Sequence, residues 1–226
     1  MLVRYLGHSS FLIFSSKGSS IVTDPYGTNI GYTFPVISAD VILVSHEHQD
    51  HNATWRVGGN PVVVKRTSEF PVEHEVNVEK FKEKILFRGI PSFHDKYQGR
   101  RKGPNTIWVW HMEGVRYVYL GDLGHILTDK QVQEIGGDAD VLFLPVGGGT
   151  TLSPMEAALV INQLTPKLVF PMHYKTNVTE FAGVTSEVLE TFLNKTDSVE
   201  NTYSMAYDID LARLPSKTKI IVLKYE

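Results

Sequence analysis

The chain has no cysteine among its 226 residues. That absence excludes disulfides, iron–sulfur clusters, thiol nucleophiles and cysteine-ligated zinc. Any bound metal must be held by histidine and carboxylate. An excess of one charge is missing too, since 22 Lys+Arg stand against 25 Asp+Glu for a formal net charge of -3. Proteins that coat polyanions usually carry a basic excess, so no nucleic-acid partner is expected. No apolar run approaches the ~18 residues of a membrane span, and Met1-Leu2-Val3-Arg4 does not have the character of a signal peptide. A soluble, cytoplasmic protein is the expectation. Low-complexity segments and proline-rich linkers are also absent, so residues 1–226 are expected to form a single domain. What the chain does have is 42% hydrophobic residues, enough for a sizeable core, and 9 histidines.

Strand-like runs dominate the first half. Ser10–Phe14 and Ser20–Thr23 flank a turn at Lys17-Gly18 and predict a hairpin. Val41–Val44 and Pro61–Lys65 are short apolar runs of the kind buried on both faces. Thr106–Trp110 and Arg116–Leu120 predict a second hairpin around Glu113-Gly114. The mixed-charge run Glu79–Lys84 predicts a solvated strand or loop. Helix starts are marked by two capping boxes, Thr128 to Gln131 and Ser153 to Glu156, the second with Pro154 at the first helical position. Thr185–Asn194 is a third helix candidate. Ala39-Asp40-Val41 recurs as Ala139-Asp140-Val141, and strands ending at Asp24 and Asp122 lie at nearly the same offset. These repeats hint at two similar halves.

The chemistry concentrates in His46-Glu47-His48-Gln49-Asp50-His51, directly after the strand-like run Val41–Val44 and Ser45. In extended chain, residues two apart share a face, so His46 and His48 point together. A turn after them lets Asp50 and His51 face a neighbouring position. One short loop then serves two ions, which in hydrolytic centres lie roughly 3.5–4 Å apart. Further ligands must come from elsewhere, and His94, Asp122 and His173 each follow an apolar strand-like run.

These residues carry a family resemblance. His-x-His-x-Asp-His, complete at positions 46–51, is the signature of the metallo-β-lactamase superfamily. Tyr5–Phe11, Thr23-Asp24-Pro25, Leu120-Gly121-Asp122, Leu144–Gly148 and Pro171–Tyr174 make the chain similar to the branch that contains the ascorbate-6-phosphate lactonase. The resemblance runs from Leu6 to about Thr176. It implies an α/β fold, a four-layer αβ/βα sandwich of two similar halves. It also implies a ligand set: His46, His48 and His94 for one metal, Asp50, His51 and His173 for a second, and Asp122 between them. Asp24 resembles a residue that orients a ligand imidazole from behind. Two divalent ions are expected, with zinc the default and manganese, iron or nickel also compatible with nitrogen and oxygen ligands.

The implied activity is metal-dependent hydrolysis of a small anionic ester, lactone or phosphodiester by a metal-bridging hydroxide, with Asp50 as proton shuttle. The other readings are a nuclease of the same superfamily and a metal-binding regulatory protein without turnover. Homo-oligomers are compatible with the branch. His8 admits a structural role behind the ligands and a substrate contact equally. His125, three residues after Asp122, is a candidate substrate contact or proton donor, against a plain loop histidine. His74 and His111 fit the surface. Lys96, Arg100, Arg101 and Lys102 make residues 95–103 a basic loop, either solvated or folded over an anionic substrate. Gly147–Gly149 permits close backbone approach to a ligand, or is a turn before Ser153.

Overall fold

A computed structural model describes residues 1–28, 30–66, 72–179, 192, 199–202 and 204–225. The apolar runs of the first half form β1 (Leu2–Gly7), β2 (Ser10–Phe14), β3 (Ser20–Thr23), β4 (Ile37–Ser38), β5 (Val41–Leu43), β6 (Val57–Gly58) and β7 (Val62–Val64). There follow β8 (Val72–Val78), β9 (Glu83–Phe93), β10 (Pro104–Met112), β11 (Val115–Tyr119), α1 (Asp129–Ile135), β12 (Val141–Pro145), α2 (Pro154–Leu164) and β13 (Leu168–Met172). The chain then supplies β14 (Val199–Asn201), β15 (Ala206–Asp208) and β16 (Lys219–Val222). One sheet has the order β15-β1-β2-β3-β5-β7, the other β14-β16-β13-β12-β11-β10-β9-β8, and β4 pairs with β6 alone.

The two halves repeat in detail. β1, β2 and β3 form an antiparallel meander that β5 and β7 extend in parallel, and β9, β10, β11, β12 and β13 repeat that pattern. The recurring Ala-Asp-Val has one structural meaning in both places. Asp40 accepts the Ser20 N–H at 2.8 Å through its carboxylate and donates its own N–H to the Ser20 carbonyl. Asp140 does the same with Arg116, its carboxylate 2.9 Å from that N–H. Each aspartate thus fixes the register of a parallel pair at its lower edge.

Between the sheets lies an apolar layer built from alternate residues of both. Ile13, Ile21, Val41 and Leu43 face Trp110, Tyr117, Phe143 and Phe170, all fully buried. Phe11 meets Phe143 at 4.6 Å between ring centroids, and Phe143 stacks on Phe170 at 5.5 Å. Such pairs contribute ~0.5–1.5 kcal/mol each beyond their burial. The outer face of the second sheet packs Val118, Leu142 and Val169 against Ala157, Val160 and Leu164 of α2 and Ile135 of α1. Both capping boxes form: Thr128 accepts from Gln131 N–H and Ser153 from Glu156 N–H.

The outer face of the first sheet is covered differently. Over Leu12, Val22 and Ile42 lie Tyr26, Ile30, Tyr32 and Phe34, with Val57 after a short 3₁₀ turn at Thr54–Arg56. Where a helix layer is expected, the described residues supply irregular chain. Pro25, Gly27, Gly31 and Pro35 break helix formation there, and aromatic rings provide the apolar cover instead. Thr185–Asn194 lies outside the described residues apart from Phe192, which is buried. The charge run 79–84 is not wholly solvated: Glu83 is buried and accepts the Ser15 hydroxyl at 2.7 Å. No helix among the described residues is long and apolar enough to cross a membrane.

Candidate metal centre

Every cluster residue stands just past the C-terminal end of a strand. His8 follows β1, Asp24 follows β3, His46–His51 follow β5, His94 follows β9, Asp122 follows β11 and His173 follows β13. The two sheets bring these ends together at one rim, the usual position for ligands on sheets with parallel strands. The loop after β5 is pinned from the opposite sheet. Trp108 Nε1 donates to the Val44 carbonyl at 2.9 Å, and Thr106 N–H to the Ser45 carbonyl at 2.9 Å. The loop then turns back, with His51 N–H bonded to the His48 carbonyl.

Asp122 lies at the middle. Its Oδ2 is 3.0 Å from His94 Nε2, 3.2 Å from His51 Nε2, 3.2 Å from His173 Nε2 and 3.9 Å from His46 Nε2. His46 Nε2 lies 3.1 Å from His48 Nδ1, and His46, His48 and His94 form one convergent group. Asp50 Oδ2 lies 3.6 Å from His51 Nε2 and 3.3 Å from His8 Nε2. His8, His51 and His173 form a second group. The seven residues expected as ligands are therefore together, and His8 lies beside them. Asp24 is spent behind them. Its Oδ2 accepts His51 Nδ1–H at 2.9 Å, and its Oδ1 accepts Ser45 N–H at 2.7 Å.

The electrostatics suit a cation. Burial, then the neighbouring His51, holds the His46 imidazole well below its usual pKa. Burial and His94 lower His48, and burial with His173 brings His8 to about 4. Imidazoles must be neutral to ligate, so these environments prepare ligands. His51 goes the other way: burial opposes its charge, but Asp122, Asp24 and Asp50 outweigh burial and raise it. Asp122 is held well below the carboxylate range despite burial, by His173, His51 and His94.

The residues fit a metal on three counts. Ligand bonds of about 2.0–2.1 Å put neighbouring donors roughly 2.8–3.4 Å apart around one ion, which the spacings about Asp122 match. Asp122 Oδ1 is buried and has no hydrogen-bond partner among the described residues, an arrangement that costs free energy unless a cation completes it. The donors are nitrogen and oxygen only, a set that zinc, manganese, iron and nickel all accept.

A model described as the beta-lactamase superfamily domain matches residues 2–173. The chain belongs to the beta-lactamase superfamily. Within it, a UPF0173 metal-dependent hydrolase of Thermococcus kodakarensis is 30% identical over 191 residues, covering 77% of this chain and 84% of the relative. One from Thermococcus onnurineus is 29% identical over the same length and shares. A solved Thermotoga maritima structure of the metallo-β-lactamase superfamily, designated a zinc-dependent hydrolase, has TM-score 0.77 at 33% identity. It covers 99% of this chain and 98% of that one. Igni18 of Ignicoccus hospitalis, at 22% identity and TM-score 0.59 over 85% of this chain and 90% of its own, shares the fold. The narrower likeness to the lactonase branch rests on the sequence motifs alone.

Around the superfamily's histidine cluster, other residues take definite places. Both ring nitrogens of His125 are engaged with backbone: Nε2 accepts the Phe93 N–H at 3.2 Å and Nδ1 lies 2.8 Å from the Ile126 carbonyl. That geometry positions the strand end before His94. The basic loop is organised by buried Asp95. Its Oδ1 accepts from Tyr97 and Gly99 N–H, and its Oδ2 from Arg101 and Lys102 N–H, at 2.7–2.9 Å. Lys96 pairs with Glu156 at 2.7 Å, and Arg101 lies over the Tyr97 ring. Lys102 instead lines a cavity of about 240 Å³ beside His46 and His48, together with Lys65 and Arg66. Gly147 approaches protein rather than ligand: a Cβ there would lie 1.9 Å from the His173 carbonyl oxygen. His74 and His111 bond at the surface, His111 accepting from Arg116.

Three supporting residues carry no sequence signal. Tyr119 places its hydroxyl 2.8 Å from both Asp24 Oδ2 and the Ser9 carbonyl. Ser45 bonds Asp24, and its hydroxyl lies 2.9 Å from His46 Nδ1. Asn105 accepts the Asp122 N–H and donates to the Leu120 carbonyl, fixing the turn on which Asp122 stands. Each sits in or beside an ordinary strand pattern, and only the cross-sheet contact gives it meaning.

Proposed function

We propose that this protein is a metal-dependent hydrolase with two divalent ions, acting on a small anionic ester, lactone or phosphodiester. The observation that carries it is the convergence of His51, His94 and His173 Nε2 on one buried oxygen of Asp122. His46, His48 and His94 would hold the first ion and Asp50, His51 and His173 the second, with Asp122 placed to serve both. Zinc leads among the metals, with manganese, iron and nickel accommodated by the same donors. Divalent ions held there would supply a bound water whose pKa falls from about 15.7 to roughly 7, and would polarise the electrophile's oxygen. The names of the Thermococcus and Thermotoga relatives support hydrolysis.

The protein's own groups do the rest. Asp24, fixed by Ser45 and Tyr119, accepts from His51 and holds that imidazole in one tautomer. Asp50 is the most open of the three carboxylates, its side chain 25% exposed against 1% for Asp122 and 0% for Asp24. That openness suits Asp50 to accept or pass a proton at Oδ2. Lys102 and Arg66, with Lys65 paired to Glu47 at 3.1 Å, line the cavity beside His46 and His48 and offer positive charge to the substrate's anionic part. A panel of phosphodiesters, phosphate monoesters, lactones and thioesters, run on zinc- and manganese-reconstituted protein, tests the proposal. Turnover of one class, abolished by chelation, supports it. Stoichiometric metal with no turnover of any class leaves a binding protein instead.

A further inference from the structure

We infer that His8 is itself a ligand to the second metal ion, joining Asp50, His51, His173 and Asp122. The inference rests on the two-ion reading above and adds a ligand that the His-x-His-x-Asp-His signature does not contain.

The donor spacings carry it. His8 Nε2 lies 3.1 Å from His51 Nε2 and 3.3 Å from Asp50 Oδ2. The ligand atoms of His8, His51 and His173 all lie within 4.8 Å of one another. The two shorter distances fall within the roughly 2.8–3.4 Å expected of donors sharing one ion with bonds near 2.0–2.1 Å. The tautomers point the same way. His51 gives its Nδ1 proton to Asp24, so its Nε2 is a bare lone pair when the ring is neutral. The His8 ring nitrogen, 3.1 Å away, is spaced as a second donor to a cation at that position.

The backbone is built to aim this ring. His8 has φ of 56°, in the left-handed region that non-glycine residues rarely occupy. Such a conformation costs about 1–3 kcal/mol and persists only where surroundings impose it. Here the Tyr5 hydroxyl and the His173 N–H both bond the His8 carbonyl at 3.0 Å. His173, whose ring centroid lies 4.5 Å from that of His8, has φ of 57°. Two strained histidines from opposite sheets are thus tied to each other through backbone and face one point. With His8 the second position has three nitrogens and two carboxylate oxygens. That set suits six-coordinate manganese or iron as well as zinc.

Cadmium provides the test, because coupling between NMR-active cadmium and histidine nitrogen identifies each coordinated ring directly. Chelator-stripped, histidine-labelled protein is titrated with cadmium alone. The expected result is two bound ions, with the His8 ring nitrogen split by cadmium alongside those of His46, His48, His51, His94 and His173. His8→Gly relieves the backbone strain, and so retains the fold. It should lose that one splitting and weaken the second ion roughly tenfold to a hundredfold, leaving the first unchanged. Two bound ions with an uncoupled His8 nitrogen overturn the inference while sparing the two-ion reading. Fewer than two bound ions overturn both.

Discussion

Asp122 is a buried carboxylate within 3.0–3.2 Å of three imidazole nitrogens that come from three different strand ends. Its companion oxygen Oδ1 has no hydrogen-bond partner among the described residues and is costly to bury without a cation. Asp50 faces the same histidines but is partly open, so its loss should harm chemistry more than folding. Asp50→Ala is expected to lower kcat/KM on a genuine substrate by at least about a hundredfold, the scale of acid–base contributions. Its circular dichroism should match wild type; near-wild-type turnover would remove Asp50 from the mechanism. The cationic residues of the 95–103 loop separate in the same way. Lys102→Ala should raise KM for an anionic substrate roughly tenfold or more, the size of one charge-assisted hydrogen bond, and spare a neutral analogue. Arg100→Ala and Arg101→Ala should change neither, because only Lys102 of these lines the cavity beside His46 and His48. At this scale the sequence was most legible where ligands are close along the chain. His46 to His51 declare themselves by spacing. His8 did not, because a single histidine after a glycine acquires its partners only when the loops after β1, β5 and β13 come together.

Strands and turns decide how well those residues are held. Gly121 and Gly147 show the demand on backbone. Gly121 has φ of 54° and lies against Ser45 and Asn105, at the turn that carries Asp122. A Cβ at Gly147 would meet the His173 carbonyl oxygen at 1.9 Å, and backbone cannot yield as a side-chain tip can. Gly147→Ala should therefore cost about 1–3 kcal/mol, or several degrees of Tm. Gly148→Ala, whose Cβ would meet nothing within 4 Å, should cost less despite its positive φ. Equal losses in thermal melts would show that crowding at His173 is not the constraint. Hairpins, buried parallel strands and both capping boxes were readable because each is a local pattern. The covering of the first sheet was not: among the described residues, aromatic side chains between Pro25 and Pro35 stand where a helix layer is expected, and their value lies in packing on Leu12, Val22 and Ile42.

Across the whole molecule, two matching half-sheets bring the C-terminal ends of their strands to one rim. The repeated register contacts of Asp40 and Asp140 explain why short matches along the sequence reflected a real duplication. The counterparts at the upper ends have diverged in use, Asp24 orienting His51 and Asp122 meeting the ligands itself. Because the centre ties both halves together, metal should stabilise the fold as a whole. At free metal a hundredfold above its dissociation constant, each site adds ~2.7 kcal/mol, which for a chain of this size is about 5–10 °C in Tm. A chelator-stripped sample melting at the same temperature as the loaded one would show that the centre is not coupled to folding. The central claim is a two-ion hydrolytic centre. It is tested most directly by adding zinc or manganese stepwise to stripped protein while following bound metal and turnover of its best substrate together. Turnover that rises as the second equivalent binds is the predicted result. Full turnover in the stripped protein, or saturation at a single bound ion, would contradict it.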